Sequence, residues 1–321
     1  MKSEDFIWDW RNPYEWMARA TKGLPPLIIS VAITGGVQGK EAHENLPETP
    51  EEQAEQTKAA YDAGASIVHV HARNPEVQWM TSANPEDYLK INGLIRAKCP
   101  DIIINNTTGG GPTTTMEQRY RCLDAMPEIA SLNLGPDMSR FNLPKRPAPL
   151  PNPHDGFTYD ECIPFSYGII EKLVEQMNER GIKPEMELYH PGQYWVSSFL
   201  MEKKLINPPY AFQYVMGYQT SSFPTPSNLL NLVTELPDSS LFFAIGIGPH
   251  QLPMNTLAIV LGGHVRVGLE DNLYYRRDQK LTGNGQAVER VVRIAKELNR
   301  DVATPAQARK LLGVSDIPSS Y

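Results

Sequence analysis

Eight short β-branched runs, each separated from the next by a longer segment of mostly helical period, are the feature that most restricts how this chain can fold. They span Leu27 to Thr34, Ser66 to Ala72, Asp101 to Asn106, Ile129 to Leu134, Glu185 to Tyr189, Phe212 to Met216, Leu241 to Ile245 and His264 to Gly268. Helices are expected at Pro50 to Ala63, Pro85 to Lys98, Thr114 to Ala125, Ser166 to Arg180, Pro226 to Leu236 and Pro253 to Leu261. Several open with proline at the first helical position, where a missing N–H leaves no bond unmade. Repeated strand–helix units demand a parallel sheet, and eight of them without a second run of strands predict a closed (β/α)8 TIM barrel. An open doubly wound sheet is disfavoured because the glycine-rich turns do not form the Gly-x-Gly-x-x-Gly fingerprint.

Residues 1–26 read as an N-terminal extension and 27–321 as a single domain, finished by helices at Asn284 to Asn299 and Thr304 to Leu312. The long connection from Gly135 to Pro164 contains Leu143-Pro144-Lys145-Arg146-Pro147-Ala148-Pro149-Leu150-Pro151-Asn152-Pro153. Such a stretch is expected to be irregular and to serve as a lid or an oligomer contact. At 41% hydrophobic and 21% charged residues, with no apolar run near the ~18 residues of a membrane helix, a soluble globular chain without a membrane span is expected. A net charge of −7 argues against a nucleic-acid surface and for a small-molecule partner. Acids and tryptophans within Met1 to Trp10 are unlike a signal peptide, and three cysteines, Cys99, Cys122 and Cys162, suit reduced thiols, so a cytoplasmic location is expected.

The chemistry concentrates at two of the strands. In Val68-His69-Val70-His71-Ala72-Arg73 the two imidazoles fall on one face of the second strand, because alternate residues of a strand point the same way. Near the other end, Gly263-His264-Val265-Arg266-Val267-Gly268-Leu269-Glu270-Asp271-Asn272 runs the eighth strand into adjacent carboxylates. Both strands are even-numbered, so His69, His71 and Glu270 can meet at one level of the barrel mouth, where TIM barrels keep their active sites. Two neutral nitrogens and one carboxylate oxygen, with positions left open, suit a catalytic divalent metal, zinc best of all. Equally, a strand His-x-His can be two satisfied core residues. Arg266 either orients Asp271 as a general base or forms an ordinary ion pair with it. Arg73, in phase with the histidines, either supports them or caps the strand end.

Two glycine-rich turns are candidate anion sites. Gly246 and Gly248, after the seventh strand, could offer backbone N–H groups to a phosphate, and Thr107, Thr108 and Gly109, after the third, could offer hydroxyls and N–H groups to an oxyanion. Both are also legible as plain tight turns.

From about Leu27 to Gly313 the chain resembles the β-keto acid cleavage enzymes. The most specific matches are the Val-His-Val-His-Ala-Arg block, Thr107-Thr108-Gly109-Gly110 in place of a family Ser-Thr-Gly-Gly, and the Gly263 to Asn272 segment. The resemblance implies a zinc-bound, oligomeric barrel, homotetrameric or of another order, that converts a β-keto acid and acetyl-CoA into acetoacetate and a new acyl-CoA. It implies that His69, His71 and Glu270 hold zinc, which chelates the keto and carboxylate oxygens of the substrate. Asp271, oriented by Arg266, would take a proton from the acetyl methyl, for a Claisen-type addition, a CoA shift and a retro-Claisen release. Thr107 would act as a hydrogen bonder where the family has serine. Glu187 matches a further family active-site glutamate, with Glu185 an equally legible alignment. Thr34, Val37, Arg73, Thr108, Gly109, Gly246, Gly248 and Gly263 complete the implied substrate and cofactor contacts. Family members acting on an aminohexanoate carry Thr-Gly-Ala-Glu after the first strand, the glutamate holding the substrate's ammonium. Here Thr34-Gly35-Gly36-Val37 puts an apolar side chain in that place, so a neutral or apolar-tailed β-keto acid is expected unless Glu41 or Glu44 restores the acid. Two other readings fit the bare pattern: a metal-dependent hydrolase of the amidohydrolase type, and a non-catalytic barrel binding a phosphorylated metabolite.

Overall fold

The computed structural model describes residues 11–321, so the expectation drawn from Met1 to Trp10 lies outside the described residues. After helix α1 (Pro13–Lys22) the chain lays down β1 (Ile29–Ala32), α2 (Pro50–Ala63), β2 (Ile67–Val70), α3 (Pro85–Lys98), β3 (Ile103–Asn106), α4 (Met116–Tyr120) and β4 (Ile129–Asn133). A hairpin of β5 (Asp137–Leu143) and β6 (Phe157–Ile163) precedes α5 (Tyr167–Glu179), β7 (Lys183–Leu188), α6 (Tyr194–Glu202), β8 (Tyr210–Met216), α7 (Pro226–Thr234) and β9 (Ser240–Gly246). The chain ends with α8 (Gln251–Val260), β10 (His264–Val267), the short pair β11 (Tyr274–Arg276) and β12 (Gln279–Lys280), α9 (Asn284–Glu297) and α10 (Pro305–Leu312). Strands β1, β2, β3, β4, β7, β8, β9 and β10 close in that order into a parallel barrel, β10 pairing back onto β1. This is the (β/α)8 architecture, with the hairpin and α1 as additions.

Strand periodicity builds the interior in layers. Outward residues such as Val31, Val68 and Ile104 join the main apolar core beneath the helices. Inward residues at the strand starts, Ile28, Ile67, Ile103, Ile129, Ala211 and Leu241, form a separate apolar floor, sealed by Ala308, Leu311 and Leu312 of α10. Two residues further along, the inward position turns polar on β2, β3, β4, β7 and β8, where His69, Asn105, Ser131, Glu185 and Gln213 are all buried, while β9 keeps the apolar Phe243. The next step up, His71, Thr107, Asn133 and Glu187, reaches the cavity at the mouth. One end of the barrel is thus greasy and closed, the other polar and open.

Two expectations need correction. The connection after β4 is not irregular: β5 and β6 pair antiparallel from Asp137↔Ile163 to Leu143↔Phe157, and the hairpin walls the cavity. Its proline-rich tip is fixed by Arg146, whose buried guanidinium binds Glu41 at 2.6 Å and Glu48 at 2.8 Å. The helix expected at Thr114 to Ala125 is split into α4 and a 3-10 turn over Arg121–Ala125, and α6 was not expected at all. Among the described residues no helix is long and apolar enough to cross a membrane. Cys99 and Cys122 are buried, Cys162 is exposed, and all three are free.

Candidate metal centre and active site

The third ligand reaches the histidines through a backbone manoeuvre. β1 lies between β2 and β10 in the ring, so a side chain following β10 must fold across the end of β1 to meet β2. The Glu270 N–H donates to the Ala32 carbonyl at 3.1 Å and performs that fold. Gly268 permits it: at φ +134 a Cβ there would stand 2.1 Å from the Ala32 carbonyl oxygen. A Cβ at Gly35 would likewise meet Glu270 Cγ at 2.8 Å. Gln38 then staples the loop after β1 to the Leu269 carbonyl at 3.1 Å.

Glu270 Oε1 lies 3.4 Å from His71 Nε2 and 3.8 Å from His69 Nε2, and the ligating atoms of the three residues fall within 4.8 Å of one another. Tetrahedral ligands about 2.0–2.1 Å from zinc stand roughly 3.3–3.4 Å apart, so the separations in the triad must shrink by no more than about 1.5 Å for it to share a dication. Glu270 Oε2 is buried with no hydrogen-bond partner, an unmet acceptor that a cation would satisfy. Burial, with the Arg266 charge, keeps the His69 imidazole well below its ordinary pKa and so neutral, the form that ligates. Burial pushes Glu270 upward, but the Arg266 charge, with the hydrogen bond to His71, outweighs it and holds the carboxyl well below the usual range. The donor set and its charge state therefore fit a divalent metal.

Beside the triad, Arg266 grips Asp271 with two bonds, Nε to Oδ2 and Nη2 to Oδ1, each 3.0 Å. The same guanidinium bonds Glu270 Oε1 and reaches Glu187 Oε1 at 3.3 Å. Burial lifts Asp271 to about 6 despite Arg266, and lifts Glu187 to about 8. Glu187 faces the cavity, whereas Glu185 lies one layer deeper and accepts from Asn105 Nδ2 at 2.7 Å. Thr107 lines the cavity, its hydroxyl accepting from the Gly109 N–H at 2.9 Å.

Val37, Gly109 and Gly248 also line the cavity, of about 1040 Å³, whereas Thr34, Arg73, Thr108, Gly246 and Gly263 are outside its wall. Arg73 is buried and clamps the loop after β1, donating to the Gln38 carbonyl at 2.7 Å and the Thr34 carbonyl at 3.1 Å. Thr34 donates to the Pro47 carbonyl at 2.6 Å and Thr108 to the Ser131 carbonyl at 2.8 Å. Gly263 precedes β10 at the floor end, where a Cβ would strike the Phe242 ring at 2.2 Å. Gly246 lets α8 begin close by, a Cβ there standing 2.4 Å from the His250 carbonyl oxygen. The Gly248 N–H donates to the Asp271 carbonyl at 2.7 Å and so fixes the carboxylate's backbone instead of facing a phosphate. Glu41 is taken by Arg146, and Glu44 is exposed and away from the cavity, so neither replaces the missing acid at Val37.

A model of the family described as beta-keto acid cleavage enzyme matches residues 26–314. The chain belongs to the beta-keto acid cleavage enzyme family. It is 37% identical over 292 residues to the 3-keto-5-aminohexanoate cleavage enzyme of Acetoanaerobium sticklandii, covering 91% of this chain and 100% of that one. It is 33% identical over 293 residues to the 3-oxoadipate:acetyl-CoA acetyltransferase of Cupriavidus necator, covering 90% of this chain and 95% of that one. Among solved structures the binary complex of ObcA with oxaloacetate is similar in fold, at a TM-score of 0.66 and 21% identity over 84% of this chain and 68% of the other. The two relatives match this chain over nearly their whole length, and the ObcA structure is similar to it in fold alone. This chain's cavity adds residues that strand reading did not single out, Asn133, Asp137, Ser139, Tyr189 and Tyr218. Asn133 was findable, being in inward phase two residues after Ser131; Asp137 and Ser139 come from the unforeseen hairpin.

Proposed function

We propose that this chain transfers an acyl group from a β-keto acid to CoA: R–CO–CH2–COO⁻ and acetyl-CoA give R–CO–S–CoA and acetoacetate. The observation that carries the reading is the convergence of His69, His71 and Glu270 next to an Asp271 carboxylate held bidentately by Arg266. A zinc ion on that triad would act as a Lewis acid that lowers the cost of negative charge on a keto oxygen. Asp271 removes a proton from the C2 methylene of the keto acid, and not from the acetyl methyl, because C2 is the carbon that becomes bonded to the acetyl carbonyl in acetoacetate; Arg266 fixes both carboxylate oxygens so that the base cannot rotate away. The C2 carbanion attacks the acetyl carbonyl and expels CoA thiolate, the thiolate adds to the former ketone carbon, and cleavage of its bond to C2 gives R–CO–S–CoA and the acetoacetate enolate, which takes the proton back. Thr107 and the buried, largely protonated Glu187 donate hydrogen bonds to substrate oxygens. Arg276, Arg277 and Arg290 line the outer cavity and give the rim a positive field for the phosphates of CoA. Val37 leaves the part of the first loop that faces the cavity without an anion, which disfavours an ammonium-bearing substrate. The protein works as a homo-oligomer, which light scattering would read directly.

The test is acetoacetate release from a panel of β-keto acids with the purified, zinc-loaded protein. Release that requires acetyl-CoA supports the reading. Consumption of the keto acid without acetyl-CoA points to a hydrolase and refutes it.

A further inference from the structure

The hairpin brings a carboxylate into the cavity that the acyl-transfer scheme does not use. Asp137, the first residue of β5, is buried and lines the cavity wall in the sector that follows β4. The loop carrying Val37 follows β1, three strands away round the ring. Asp137 Oδ1 accepts from the Thr220 hydroxyl at 2.8 Å and Oδ2 from Ser139 Oγ at 3.4 Å. Ser139 in turn shares a hydrogen bond with the Tyr218 hydroxyl. A carboxylate offers about four lone-pair sites, so acceptor capacity remains beside the cavity.

We propose that Asp137 is a specificity-determining contact for a neutral hydroxyl group on the substrate chain, beyond its keto carbon. The assignment rests on the β-keto acid reading above. A hydroxyl suits the surroundings better than an ammonium for two reasons. Ser139 and Tyr218 line the cavity beside Asp137, and Thr220 holds Asp137 Oδ1 from outside its wall, so a substrate O–H can donate to Asp137 and accept from a neighbouring hydroxyl. The buried Arg119 already supplies positive charge on this side: burial raises the Asp137 pKa, and Arg119, with the Thr220 and Ser139 hydrogen bonds, opposes that rise. A second cation would meet that field, whereas a dipole does not.

The zinc-loaded protein would be assayed with acetyl-CoA and four substrates: 3-oxohexanoate, its 5-hydroxy and 6-hydroxy derivatives, and 5-amino-3-oxohexanoate. Acetoacetate formation gives kcat/KM for each. At least one hydroxylated substrate should exceed 3-oxohexanoate by about tenfold or more. Asp137→Ala should bring that ratio toward one, and Asp137→Asn, which keeps one acceptor oxygen and the side-chain shape, should give an intermediate ratio. A preference for 3-oxohexanoate or for the amine in the wild type would overturn the proposal, as would a ratio unmoved by Asp137→Ala. Acetoacetate from none of the four would instead defeat the acyl-transfer reading itself, so the two failures are distinct.

Discussion

Asp271→Asn separates chemistry from metal binding. In the wild type both carboxylate oxygens accept from Arg266 at 3.0 Å. The amide keeps the shape but turns one acceptor into an NH2 that faces a guanidinium donor. One charge-assisted bond is lost, a cost of about 1.5–3 kcal/mol in stability. The backbone is not disturbed, since the Asp271 carbonyl still accepts from the Gly248 N–H. Asp271 is not one of the three clustered ligands, so zinc content measured by plasma mass spectrometry should match the wild type. Loss of a general base removes about 10²–10⁴ of rate, and turnover should fall by that factor. Exchange of the keto acid's C2 protons with D2O above the uncatalysed rate, followed by NMR, isolates the step: it should fall with turnover. Exchange at the wild-type rate would take the base role away from Asp271, and loss of zinc would show that the carboxylate belongs to the metal site.

Glu270→Gln should lose bound zinc and turnover together, which metal analysis and the acetoacetate assay check in one preparation. Val37→Glu places a carboxylate in the cavity wall, and should raise kcat/KM for an aminated over an uncharged β-keto acid by about tenfold, equivalent to ~1.4 kcal/mol. Arg146→Ala leaves Glu41 and Glu48 buried without their cation and should cost about 3–5 kcal/mol in urea unfolding. In chelator-treated protein Glu187 binds its proton up to about pH 8, against 4.5 for an ordinary glutamate, so the folded state holds the extra proton between these values. Its stabilising share is complete below about 4.5 and fades as pH rises to about 8, by at most ~1.4 kcal/mol per pH unit. Glu187→Gln should therefore gain in melting temperature relative to wild type as pH rises from 5.5 to 8.

The barrel was legible because strands buried on both faces leave dense β-branched runs, such as Ile28 to Ile33 and Ile102 to Ile104. Helix starts were legible where a cap and a proline coincide, as at Thr49 and Pro50. The hairpin was not, because its alternation is inverted: Asp137 and Ser139 point inward while Met138 is exposed, so a rule that places apolar side chains inside reads no strand there. Helix α6 follows His190-Pro191-Gly192, which reads as a turn, and its first residue lacks a side-chain cap. For the site, two-residue strand phase brought His69 and His71 together on one face, and it equally placed Glu185 and Glu187 on one face. Only depth separates that second pair: Glu185 meets Asn105, and Glu187 meets Arg266. No local pattern reveals that the Gly248 N–H is already spent on Asp271, or that Arg73 holds backbone carbonyls, because both depend on segments far apart in sequence.

The charge balance of the site ties these residues into one device. Arg266 is a single cation touching three carboxyl groups, Glu187, Glu270 and Asp271. At neutral pH burial keeps Glu187 mostly protonated, at about 8, while Asp271, at about 6, and Glu270 are mostly ionised. Arg266, Glu187, Glu270, Asp271 and the neutral His69 thus sum to one negative charge, an arrangement that disfavours an anionic substrate. A dication on the triad reverses the sign to one positive charge, which attracts a keto acid carboxylate and favours charge developing on an oxygen. Arg266 cannot serve that purpose by itself, because its donors are committed to carboxylates that cancel it. Its contribution is geometric: it holds the Glu270 ligand and the Asp271 base on one rigid planar fork, so that the metal-binding and proton-accepting oxygens keep a fixed spacing while substrates change.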